Sequence, residues 1–104
     1  MKIEGLLPIG TIVRIGAVPD RQLQIVGQGQ RKPDSQEVCD YCAVPYPEGY
    51  IDGDHMILLN NEDIIQIDDY GYIDDESIEY TGHIENIVRM LRDGSLAFDD
   101  LSEN

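Results

Sequence analysis

His55-Met56-Ile57-Leu58-Leu59-Asn60-Asn61-Glu62-Asp63-Ile64-Ile65-Gln66-Ile67 decides the fold. Two strand-forming apolar runs, His55 to Leu59 and Ile64 to Ile67, are separated by four polar residues, enough for one tight turn. Upstream, Thr11 to Ile15 alternates, with Thr11, Val13 and Ile15 on one face and Ile12 and Arg14 on the other. Gln22 to Val26 repeats the pattern with Leu23 and Ile25 inward. Val38 to Val44 makes a third strand, which Pro45 should stop for want of an N–H. Tyr46-Pro47-Glu48-Gly49 fits a type I turn. Gly27 to Ser35 reads as an exposed loop and the likeliest internal segment to be disordered. These five short strands predict a small SH3-like barrel or a strongly curled antiparallel sheet, within an α+β, mainly β class. In the barrel alternative the strand from His55 to Leu59 is buried on both sides.

Beyond Asp74 the period changes. Ile84, Ile87, Val88 and Leu91 fall on one helical stripe, which predicts a helix over about 75–93 that docks on the open end of the sheet. Thr81 could cap its start, Glu85 and Arg89 could pair, and Gly94 could end it. Asp74 and Asp75 could begin an earlier turn, and Gly82 weakens a helix running through both pieces. One domain, 1–94, is expected, followed by an acidic, flexible tail, 95–104.

At 104 residues and 41% hydrophobic, the chain has the size and apolar content of one globular domain. No apolar run approaches the roughly 20 residues of a membrane span. The residues after Met1 lack the features of a signal peptide, which leads to an expectation of a cytoplasmic protein, co-exported only with a partner. Charge is lopsided: the chain carries +3 through Pro33 and −17 from Asp34 onward, with no base between Lys32 and Arg89. Such a surface repels phosphate backbones and anionic lipid and attracts basic proteins; it also serves solubility. Nucleic acid and membrane are therefore not expected partners.

No catalytic or metal-binding pattern survives testing. Cys39 and Cys42 form a lone CxxC, and twelve residues separate Cys42 from His55, as in a zinc finger. The second histidine would fall at Leu59, Asn60 or Asn61, and a strand would send the two thiols to opposite faces. His83-Ile84-Glu85 has two residues of a deaminase motif in the wrong order relative to the cysteines. Neither Gly53 nor Gly71 sits in a loop with the carboxylates of a calcium site. Gly27-Gln28-Gly29 lacks the rest of a dinucleotide loop. The expectation is a non-enzymatic chain without a cofactor or metal, its cysteines reduced and structural.

Six tyrosines invite a binding role. Tyr46, Tyr50, Tyr70 and Tyr72 either fill the core and its corners or form a solvent-facing patch ringed by acids, where tyrosine suits a protein interface. The interface reading takes these four with Glu62, Asp63, Asp68 and Asp69 as partner-binding residues.

Motifs in a fixed order resemble the bacterial family called domain of unknown function 4176. They are Leu7-Pro8-Ile9-Gly10, Asp40-Tyr41, Tyr46-Pro47-Glu48-Gly49, Asn60 to Ile64, Gly71-Tyr72 and Asp74-Asp75-Glu76. Members of that family tend to be encoded near LXG-type toxins of the type VII secretion system. The resemblance implies a small cytosolic chaperone or targeting adaptor that binds such a toxin. Its alternative is an immunity protein that neutralises the toxic domain. Cys39, Cys42 and the chain after Gly94 depart from the family pattern.

Overall fold

The computed structural model describes residues 2–101. Five strands form one antiparallel sheet: β1 (Ile12–Ile15), β2 (Gln22–Arg31), β3 (Val38–Tyr46), β4 (Ile57–Leu59) and β5 (Ile64–Asp69). A single helix, α1 (Asp75–Asp93), follows. The strand order is β4-β3-β2-β1-β5, so the last strand returns beside the first. β4 and β5 are the two edges and do not pair with each other, so the sheet stays open rather than closing into a barrel. The chain is thus α+β and mainly β. The one-turn link between the edges is real: a 3-10 turn at Asn61–Asp63, in which the Asp63 carboxylate accepts from the Asn60 N–H at 2.8 Å.

The core is built from Leu7, Val13, Ile15, Leu23, Ile25, Tyr41, Ala43, Leu59 and Ile64, the inward positions of the alternating runs. Three expectations about the strands need correction. β2 continues through Gly27 to Arg31, where an exposed loop was expected, and pairs with β3 as far as Arg31 opposite Val38. A register shift between Ile25 and Gly27 hides this from a period-2 reading. β3 runs through Pro45 to Tyr46. β4 covers only Tyr41 to Ala43, so at Pro45 one flank of β3 has no neighbour and the missing N–H breaks no ladder there. β4 is three residues long with Leu58 exposed, because an edge of an open sheet has no layer over its outer face.

The bend after β3 also differs from a type I turn: the Gly49 N–H donates to the Pro45 carbonyl at 2.7 Å, one residue further back, and the Tyr46–Pro47 peptide is cis.

α1 is one uninterrupted helix of 19 residues despite Gly82. Asp74, not Thr81, caps it: the Asp74 carboxylate accepts from the Ser77 N–H at 2.9 Å, and Ser77 Oγ accepts from the Asp74 N–H at 2.9 Å. Gly94 closes it at φ 87°. The helix packs across β2 and β3. Val88 is buried there, and the Cβ missing from Gly29 would lie 3.0 Å from Ile84 and 3.1 Å from Val88. After Gly94 the chain turns back: Arg31 stacks over the Phe98 ring at 4.7 Å, and Phe98–Leu101 forms a last 3-10 turn. The rest of the acidic tail, 102–104, lies outside the described residues.

Candidate protein-binding groove

Three of the motifs that carry the family resemblance, those holding Leu7, Asp40-Tyr41 and Asn61, converge on one polar junction. Tyr41 is 0% exposed, and its hydroxyl accepts from the Leu7 N–H at 2.8 Å and donates to Asn61 Oδ1. Asn61 Nδ2 donates to the Gly5 carbonyl at 2.7 Å. Asp40 accepts from the Asn61 N–H at 2.8 Å and pairs with Arg92 at 3.0 Å. Glu85 accepts from the Leu6 N–H at 2.7 Å. The N-terminal segment, β3, the link before β5 and α1 are thereby pinned together. Burial pushes the Tyr41 phenol up to about 12. Glu85, expected to pair with Arg89, is taken by Leu6, and Arg89 lies 3.8 Å from Asp93 instead. A concavity of about 480 Å³ opens over this junction, but Asp40, Asn61, Glu85 and Arg92 along its wall are already bonded within the fold.

A second concavity, also about 480 Å³, is different in kind. One wall is Leu6, Leu7 and Pro8; the other is Ser77, Ile78, Thr81, Gly82 and Glu85 of α1; Tyr70 and Ile73 close one end. Tyr70, Ile73 and Ile78 are 49%, 46% and 60% exposed. Those uncovered apolar side chains make the groove a candidate interaction surface. Buried behind the walls, Gln28 Nε2 donates to the Leu7 carbonyl at 2.7 Å and to Thr81 Oγ1 at 3.0 Å and so ties the two walls together; its Oε1 is buried without a partner. Asp75 and Glu79 lie one helical turn before Ile78 and Gly82, so the outer rim is acidic.

Of the residues singled out from sequence, Tyr70 lines the groove and Tyr72, 80% exposed, is two residues further on. Tyr46 and Tyr50, 43% and 67% exposed, lie elsewhere, at the far end of β3. Two strands stand between β3 and β5, so the strands preceding the two tyrosine pairs are about 14 Å apart across the sheet. All four are exposed rather than core-filling; Tyr41 is the buried tyrosine. Glu62 and Asp63 line the gap between the two edge strands, beside Leu58 and Ile65. Asp68 accepts from Gln66, from Gln22 at 2.8 Å and from Arg14 at 2.9 Å, and these donors, Gln66 foremost, bring its carboxyl down to about 2. Asp69 is exposed at the end of β5. The sequence reading missed Ile73, Ile78 and Gly82. Ile78 is the one signal it could have used, an apolar residue off the docking stripe.

Most bases are spent inside the fold. Arg14 pairs with Asp68, Arg21 with Glu48 at 2.7 and 2.8 Å, Lys32 with Glu37 and Arg92 with Asp40. Arg31 is held by the Ser35 carbonyl and Phe98. The Arg31-Lys32 spot is therefore engaged, and the excess of acid stands unopposed at the surface. Burial raises both thiols above their ordinary value, which disfavours the thiolate. Among the described residues no cluster of three metal-ligating side chains occurs, and no helix is long and apolar enough to cross a membrane.

Neither a curated protein nor a solved structure matches the chain. A family model does, over residues 6–80, from the first wall of the groove into the helix that forms the second. The chain belongs to the family described as Domain of unknown function (DUF4176).

Proposed function

We propose that this protein is a non-enzymatic, cytoplasmic accessory factor that binds an LXG-type toxin of the type VII secretion system, as chaperone or targeting adaptor. The observation that carries a binding role is the exposed apolar groove on a surface of net charge −14. Exposed tyrosine and isoleucine among acids favour a protein with a basic, partly apolar surface over nucleic acid or anionic lipid. The toxin assignment follows from the family resemblance. Glu62, Asp63, Asp68 and Asp69 would then belong to the acidic surroundings that steer the partner, with Tyr70 and Tyr72 nearest the contact and Tyr46 and Tyr50 on its periphery. An acidic surface suits an immunity protein against a nuclease equally well, so the experiment separates the two. The toxin encoded beside this chain is divided into its targeting and toxic halves and each is co-expressed with it. Co-purification with the targeting half supports the adaptor. Co-purification with the toxic half, with rescue of growth, makes it an immunity protein. Capture by neither refutes both.

A further inference from the structure

Most of the backbone along the two long walls of the groove is already hydrogen-bonded. On the N-terminal wall, the Leu6 N–H donates to Glu85 and the Leu7 N–H to Tyr41. The Leu7 carbonyl accepts from Gln28 and the Pro8 carbonyl from Thr11 at 2.6 Å. The opposite wall is α1, whose interior N–H and C=O groups bond within the helix. An extended peptide laid here would bury unpaired backbone groups. These walls favour an occupant that brings its own backbone bonds, which is the property of a helix. The acidic outer rim selects its charge, and a second copy of this chain, at −14, is repelled.

Gly82 supplies the point of closest approach. It lies in the middle of α1, where glycine lowers helix stability, yet nothing lies within 4 Å of the Cβ it lacks. Packing within the protein does not require glycine there. Its effect is to keep the groove open beside Ile78 and Thr81.

We infer that the groove between Leu6–Pro8 and the first half of α1 receives a basic amphipathic helix of a protein partner, with a large apolar side chain of that helix seated over Gly82. This rests on the protein-binding reading above and specifies its site. The partner helix would place apolar residues at i, i+3 or i+4 and i+7 toward Tyr70, Ile73 and Ile78, with Lys or Arg flanking them toward Asp75 and Glu79.

The test uses Gly82→Leu, which fills the groove from its own wall. Because the added side chain meets open space and leucine favours helix, the variant keeps or raises the thermal midpoint, and lost binding cannot be lost folding. With the targeting half of the toxin as partner, Gly82→Leu is expected to weaken binding about thirtyfold or more, as for an interface hot spot, while Val18→Ala, at an exposed position outside the groove, leaves it within about twofold. Binding by wild type that Gly82→Leu leaves unchanged overturns the groove and leaves the toxin reading standing. If neither toxin half binds, the toxin reading fails, and the groove is tested alone. The 15N-labelled protein is then titrated with an 18-residue Leu/Lys amphipathic helical peptide and, separately, its Leu/Glu counterpart (about five turns each). Shifts confined to Leu7, Tyr70, Ile73 and Gly82 with the Lys peptide, and lost in Gly82→Leu, support the inference. Shifts scattered over the surface, equal shifts with the Glu peptide, or none overturn it.

Discussion

Removing one oxygen should cost this domain much of its stability. In Tyr41→Phe the ring still fills the core, but the Leu7 N–H loses its acceptor and Asn61 Oδ1 loses its donor. A buried donor left unsatisfied costs about 1–3 kcal/mol, and the Asn61 oxygen, nearer solvent, adds less. About 2 kcal/mol in all is expected, which for a chain of 104 residues lowers Tm by about 8–15 °C. The alkaline limb gives a second, independent reading. The folded phenol titrates at about 12 against an ordinary 10.0, so the folded state holds this proton more tightly than the unfolded state. Stability is then fully present below pH 10 and is lost as pH rises through 12, by about 3 kcal/mol for two units. Phenylalanine has no proton to lose, so the variant should lack this component of the fall. Urea unfolding followed by far-UV circular dichroism from pH 7 to 12 measures both quantities. A variant within about 0.5 kcal/mol of wild type at neutral pH, with an unchanged alkaline limb, would refute the assignment of Tyr41 as the pin of the N-terminal segment.

Other expectations follow from single positions. Gly71 and Gly49 share φ +77°, but a Cβ at Gly71 would lie 2.9 Å from the Gly10 backbone, whereas Gly49 faces open space. Gly71→Ala should cost about 3 kcal/mol and Gly49→Ala about 1, measured by chemical denaturation; equal costs would mean backbone conformation alone decides. Asp74→Ala removes the helix cap and should cost about 1 kcal/mol with loss of amide protection in the first turn of α1, read by hydrogen exchange. Asp68, brought down to about 2 from 3.8, supports the fold above pH 3.8 and ceases to as pH falls through 2. Asp68→Asn should therefore narrow the stability gap between the two proteins as pH drops over that interval, and a constant gap would argue that the carboxylate is not so held.

The strands and helix were legible because burial imposes periodicity: Val13, Ile15, Leu23 and Ile25 alternate, and Ile84 and Val88 repeat by turns. The end of β2 was not, since Gln28 and Gly29 present a polar and an absent side chain to a helix that only tertiary structure brings there. Glu85 illustrates the same limit. Its local partner, Arg89, is visible in the sequence at i+4, but the N–H that holds it belongs to Leu6. Of the candidate site's lining, only Tyr70 was singled out from the sequence as a binding residue. The groove itself was not, because its walls come from opposite ends of the chain, and Gly82 read as a helix breaker rather than as space.

The Leu6–Glu85 bond spans 79 residues, and the chain between its ends includes the whole sheet. At a synthesis rate of about 5–20 residues per second, its second half arrives about 4–16 s after its first. Until then the first wall has no counterpart and the groove does not exist. Whatever the proposed site engages, it waits for the helix to be made. A truncated product that stalls before the helix would carry the sheet and its acidic charge but have nothing to close on.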